Sequence, residues 1–404
     1  MYRNKEVICV KRCIESHIAR CYYKYEQSFA HKRGIKRHKN AGLRKDGEES
    51  VPAICGLQVT ERRDEGMNNN SANDKTMTIH DVARELGVSA STVSRAISGK
   101  GRIGAATRDR ILDYIEEHGF YPNAAAQSLA QSKTNNIAII LPEVNTLVDM
   151  PFFHTCMYGV EEVAQANDYD IIVVTTNGND TKPLERLIKN RKVDGMILTR
   201  TYENDKYVKF LKQKQIPFVV VGKFPDDDVV QVDHDNVGAC KELVTVLFAK
   251  GIQNIAYLGS NMDQMVNRCR YQGYEEAYRK GKRKLNQDLV YTDLSSRAMV
   301  EKAVEELKNS GVECILCQDD YICDEVVRKL AHMGVRIPDQ MKVASCHYSR
   351  ILENYPITIT SLKFNITELG RRSCQVLLDR IHGKTVPDKT LLDYEIILKE
   401  STKG

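Results

Sequence analysis

No stretch of this 404-residue chain is long and apolar enough to suggest a membrane span. Its longest uninterrupted apolar runs, Ile137–Leu141 and Phe218–Val221, fall far short of the ~18 residues a span needs. The N-terminus MYRNKEVICVKRCIES lacks the continuous apolar segment of a secretory signal, so the chain reads as cytoplasmic. Its twelve cysteines, spread over a long chain without an export signal, read as reduced thiols rather than a disulfide framework. Also missing are a glycine-rich phosphate loop, a G-x-S-x-G elbow and an HExxH pair, so no residue set makes a catalytic case. Cys9, Cys13, His17 and Cys21 would line one helix face, but four collinear side chains cannot close a tetrahedron around one ion. The reading therefore includes no enzyme, no metal and no cofactor.

What is present is enough apolar residue, 42%, for more than one core, and a length suited to two or three domains. The net charge of +5 is uneven. Residues 1–76 hold 16 Lys/Arg against 10 Asp/Glu, whereas residues 135–404 hold 36 against 38. A basic front ahead of a near-neutral body raises the odds of a nucleic-acid partner.

Residues 1–76 show little helical or strand period, carry the basic run HKRGIKRHK and end in the polar stretch NNNSANDK. They read as a disordered or misassigned extension, with Met77 or Met67 as the natural start. From Met77 three short amphipathic segments follow. Ile79–Leu86 has Thr78 as N-cap and Asp81 at the capping-box position. Ala90–Ile97 follows the turn Gly87-Val88-Ser89. A third segment spans Ala105–His118, with Ile111, Leu112 and Ile115 expected inward. Val82, Leu86, Val93, Ile97 and Ile111 would form their small shared core, marginal alone.

After residue 134 short β-rich runs alternate with helical segments: NNIAIILPE, YDIIVVTTN, VDGMILTR, PFVVVGK, VVQVDHD, NIAYLGS, LVYTD, VECILCQDD, MKVASCH. Such alternation predicts parallel sheets covered on both faces. Nine or more strands exceed one comfortable open sheet, so two similar α/β lobes around a cleft fit better. The fold class is thus a small helical unit followed by a two-lobed α/β core.

Ala83-x3-Gly87-x5-Val93 has helix-turn-helix spacing: alanine permits close crossing, glycine takes a positive φ, and valine packs the second helix on the first. The stretch TIHDVARELGVSASTVSRAISG, continuing as TRDRILDYIEEHGFYPNAAAQSLA, closely resembles the headpiece of the lactose-repressor (LacI/GalR) family of bacterial transcription regulators. More loosely, the resemblance runs to the C-terminus. It implies a headpiece at 77–121, a hinge helix at 122–134 and a ligand-binding and dimerisation core, periplasmic-binding-protein-like, at 135–404. The second helix would enter the major groove with Ala90, Ser91 and Arg95 at base-reading positions, Arg95 offering guanine a bidentate contact. Thr78, Thr92, Ser94 and Thr107 match phosphate-holding positions. Asn123 opens the hinge segment, and Leu129 matches the leucine that wedges into the minor groove. Many members have arginine where Gln127 stands here.

In the body, the resemblance implies effector contacts at Phe152, Phe153, Lys223, Arg270, Asp319 and Asp320. His347 stands where members usually carry a ligand-binding aspartate. MPFFHTCMYGVEEVA and VVVGK look most similar to maltose-type regulators, which implies a sugar effector. The expected protein is a homodimeric repressor on a palindromic operator, controlled by a small molecule. Its rivals are a solute-binding transport component, which would need an export signal and no headpiece, an enzyme with an accessory DNA-binding module, and a regulator governed by a protein partner.

Overall fold

The computed structural model describes residues 77–99, 101–120, 133–143, 151–176 and 180–403. Asn123, Gln127 and Leu129, the hinge residues singled out above, lie outside the described residues, as does all of 1–76.

The N-terminal helical unit comprises α1 (Ile79–Glu85), α2 (Ala90–Ser98) and α3 (Ala105–Glu117). A reciprocal capping box starts α1: the Asp81 amide donates to Thr78 Oγ1 at 3.3 Å and the Thr78 amide to Asp81 Oδ2 at 3.0 Å. These bonds satisfy amides that a helix start otherwise leaves unpaired. Gly87 takes φ +64°, the left-handed conformation that only glycine reaches cheaply, and turns the chain into α2. Ser89 Oγ accepts from the Thr92 amide at 3.1 Å to cap α2, and Arg110 ties α3 to the Leu86 carbonyl at 2.8 Å. The core is Val82, Ala83, Val93, Ala96, Ile111 and Phe120. Leu86 and Ile97 are only half-buried, and Leu112, expected inward, is 38% exposed. It stands about 100° around the helix from Ile111, beyond the stripe that two neighbouring helices can cover.

Two α/β lobes follow. The first holds β1 (Asn136–Pro142), α4 (Pro151–Ala166), β2 (Asp170–Thr176), α5 (Lys182–Lys189), β3 (Gly195–Leu198), α6 (Lys206–Lys214), β4 (Phe218–Val221) and β5 (Gln231–His234). The second holds α7 (Asn236–Ala249), β6 (Ile255–Leu258), α8 (Met265–Lys280), β7 (Val290–Tyr291), α9 (Arg297–Leu307), β8 (Cys314–Cys317), α10 (Asp320–His332), β9 (Lys342–Ser345) and β10 (Thr360–Phe364). The chain then returns to the first lobe as α11 (Ile366–Ile381) and β11 (Lys389–Leu392), and ends in the second with β12 (Tyr394–Ile397). Strand orders are β11-β5-β4-β3-β1-β2 and β12-β10-β9-β8-β6-β7. Every pairing is parallel except β10 with β12.

The burial of β1 shows why the sheets are covered on both faces. Ile137, Ile139 and Leu141 pack toward α4 and α11, while Ala138 and Ile140 pack toward α5 and α6. Strands β10, β11 and β12 go beyond the nine runs picked out from sequence.

Between the lobes the chain crosses three times, each time through one residue: Asp235, Asn365 and Asp393. Asp235 and Asn365 also cap the helices they introduce. All eight cysteines among the described residues are buried and unbridged.

Candidate effector cleft and DNA-reading face

Parallel strands in both lobes direct their carboxyl ends at the gap between the sheets, where open α/β sheets bind ligands. Arg200 follows β3, Asp233 and His234 end β5, Asp319 follows β8, His347 follows β9 and Phe364 ends β10. These residues line a cleft of about 640 Å³, within the size range of small-molecule sites. At its rim the lobes are joined by backbone: the Glu203 amide donates to the Asp263 carbonyl and the Met265 amide to that of Thr201, each at 3.1 Å. An Arg268–Glu203 ion pair at 2.7 Å lies alongside.

Of the effector residues expected from sequence, Phe152, Phe153, Arg270, Asp319, Asp320 and His347 all line this cleft. Lys223 does not; it follows the lining residue Gly222, and its carbonyl accepts from Thr201 Oγ1 at 3.0 Å. Phe152 and Phe153 meet edge-on with centroids 5.2 Å apart, and the Arg200 guanidinium lies 5.1 Å from the Phe153 ring centroid. Buried Arg270 donates through Nε to Asn236 Oδ1 at 3.3 Å and through Nη1 to the Gln318 carbonyl at 3.0 Å. Asp319 caps α10 by accepting from the Ile322 amide at 2.9 Å. Asp320 Oδ1 lies 3.1 Å from His347 Nδ1.

Burial sets much of the electrostatics. It pushes the Asp233 carboxyl up to about 7, against the pull of hydrogen bonds from the His234 amide and the Asn236 side chain. The same burial, aided by repulsion from His347 and Arg270, pulls the His234 imidazole down to about 4. Asp319 is raised by burial and then by neighbouring Asp320. For Asp320 burial acts upward too, but the hydrogen bond and attraction of His347 outweigh it and hold the carboxyl at about 2. Sequence reasoning missed Arg200, Asp233, His234, Asn236 and Phe364 as cleft residues. The signal that could have found them was their position at or just past strand carboxyl ends.

The second candidate surface is α2. Ser91, Ser94 and Arg95 are exposed, Ala90 and Thr92 half-buried, and Val93 and Ala96 face the core. This division leaves one face of the helix free to enter a groove. The Thr78 hydroxyl is engaged with Asp81, at 2.6 Å, where Thr78 caps α1, and the Thr92 hydroxyl contacts that of Ser89, the cap of α2, at 2.8 Å. Thr107 occupies the first turn of α3.

Comparison with known proteins agrees with this architecture. Residues 134–400 match the family model described as periplasmic binding proteins and sugar binding domain of LacI family, and residues 78–123 that of bacterial regulatory proteins, lacI family. The transcriptional regulator MalR of Streptococcus pneumoniae is 29% identical over 337 residues, covering 80% of this chain and 99% of that protein. A solved complex of the transcriptional regulator CelR with cellobiose is similar at 26% identity and TM-score 0.62, covering 80% of this chain and 99% of the other. The lac repressor dimer bound to operator and an anti-inducer shares the fold at TM-score 0.69 and 20% identity, over 82% of this chain and 100% of the other. With a helix-turn-helix unit and a two-lobed binding body both matched in order along one polypeptide, the chain belongs to the LacI family of bacterial regulatory proteins.

Proposed function

We propose that this regulator is a ligand-controlled repressor of transcription, with residues 77–121 reading DNA, 122–134 acting as the hinge and 135–404 sensing a sugar and forming the dimer. One observation carries the reading: the same polypeptide presents an exposed recognition face on α2 and an aromatic-lined cleft at the strand ends of two lobes. Arg95, exposed on that face, reads guanine O6 and N7; Ala90 and Ser91 offer only small contacts, so Arg95 supplies most of the discrimination. Thr92 and Ser94 fix the register on the backbone. Two such heads in a symmetric dimer read a palindromic operator. The relatives support the sugar assignment, since one solved neighbour is a complex with cellobiose. Effector binding shifts the lobe equilibrium and thereby operator affinity, a coupling of about 1–3 kcal/mol in such systems. The cleft binds without turnover, which a ligand-turnover assay on the purified protein checks.

Selection of random duplexes with the full-length protein tests the core of this proposal. A palindromic consensus is expected, and Arg95→Ala should relax the preference at one position in each half-site, at about 1–3 kcal/mol per contact. Equal, salt-sensitive attraction for every duplex would overturn it.

A further inference from the structure

Two imidazoles in the cleft are incompletely bonded. His234 and His347 are 3% and 6% exposed, both line the cavity, and the Nε2 atom of each lacks a hydrogen-bond partner. Buried polar atoms are rarely left this way, because each forfeits its hydration without replacement. The two rings flank Phe364, with centroids 4.8 and 6.2 Å from it. We infer that the cleft selects an uncharged, hydroxyl-rich ligand, a neutral sugar rather than its phosphorylated or carboxylated counterpart, and that His347 Nε2 and His234 Nε2 bond its hydroxyls. This inference rests on the effector reading of the cleft and deepens it.

The polarity of the site supports the choice. His347 Nδ1 faces the Asp320 carboxylate at 3.1 Å, so Nδ1 carries a hydrogen and Nε2 is the ring nitrogen left to bond a ligand hydroxyl. His234 is neutral across the ordinary pH range, because burial opposes its charging. Asp319 and Asp320 stand beside these rings, and Asp263 and Asp293 add carboxylates at the exposed rim. Against them are Arg200 and Arg270, and Arg270 already gives Nε and Nη1 to protein acceptors. A phosphate of nearly two negative charges would meet these carboxylates at the rim and beside the rings. A pyranose brings none, and its apolar face suits the Phe152 and Phe364 rings.

Thermal shift and titration calorimetry on the full-length protein test this with maltose and cellobiose against glucose 6-phosphate and gluconate. A neutral sugar is expected to raise the midpoint and the anionic sugars at equal concentration are not. His347→Leu should weaken the neutral sugar roughly three- to tenfold, the loss of one hydrogen bond, whereas His347→Gln, which restores a polar atom there, should stay within about threefold. Tighter binding of an anionic sugar would overturn the inference while leaving the sugar-responsive regulator intact. So would unchanged affinity in a folded His347→Leu protein. A protein that responds to neither class would overturn the sugar reading itself along with this inference.

Discussion

Asp233 and His234 are neighbours in sequence and end the same strand, yet burial drives them toward neutrality from opposite sides. The folded carboxyl titrates near 7, against about 3.9 in an unfolded chain, so the native state holds a proton that the unfolded state has released. Its stabilising contribution is complete below the unfolded value and is lost as pH rises toward 7. The folded imidazole titrates near 4, against about 6.5 unfolded, so its contribution is present above 6.5 and is lost as pH falls. From about pH 8 to about pH 5, Asp233 should add about 3 kcal/mol to stability and His234 remove about 2 kcal/mol, nearly cancelling. Single substitutions expose each half. Asp233→Asn keeps an oxygen for the His234 amide and the Asn236 side chain, at 2.8 and 3.0 Å in the parent, and should lose about 2 kcal/mol between those pH values. His234→Gln should gain about 3 kcal/mol over the same interval. Urea unfolding of the three proteins at both pH values reads the differences, and titrations elsewhere cancel in the comparison. If Asp233→Asn followed the parent's pH dependence, the proton assigned to Asp233 would not be there.

Helices α4 and α11 touch backbone to backbone: a Cβ at Gly159 would lie 2.0 Å from the Thr367 carbonyl oxygen, and one at Gly370 would lie 2.0 Å from that of Cys156. Gly159→Ala must therefore separate the helices, at about 1–3 kcal/mol or more, and should lower the midpoint of thermal unfolding by several degrees. Thr78→Ala removes the capping box of α1 and should cost the helical unit about 1 kcal/mol, measured as weaker binding to the selected duplex with unchanged ligand affinity.

The helix-turn-helix was legible because its determinants are local. Thr78, Gly87 and Ser89 act on amides or turns within three residues of themselves, and these signals read correctly. The exposure of Leu112 was not legible, since it depends on how much of α3 two other helices cover. Strand alternation in the lobes was equally plain where both faces are buried, as in β1 and β4. The late strands were obscured because β11 and β12 have no fully buried residue, and β10 interrupts its apolar pattern with Lys363. His234 escaped notice for a longer-range reason. Its environment is completed by His347, Phe364 and Arg270, which chain topology, rather than local pattern, brings to the end of β5.

That same topology places the cleft beside the connections between the lobes. His234 and Asn236 bracket the Asp235 crossing, Phe364 and Ile366 bracket Asn365, and all four line the cleft. A ligand seated against Phe364 and His234 therefore contacts residues adjoining two of the three backbone connections between the lobes. A ligand changes a conformational equilibrium only through contacts that differ between the states. Contacts beside a pivot satisfy that condition poorly by distance, because atoms there move least, but well by angle, because the rings' orientation follows the backbone torsions at Asp235 and Asn365. Residues on opposing walls, such as Arg200 in the first lobe and Asp319 in the second, satisfy it by distance instead. A sugar spanning Phe364 and both walls would report on both coordinates at once, whereas one held by a single lobe would bind without changing the lobe angle. For this fold, reach across the cleft is thus what separates an effector from a silent ligand.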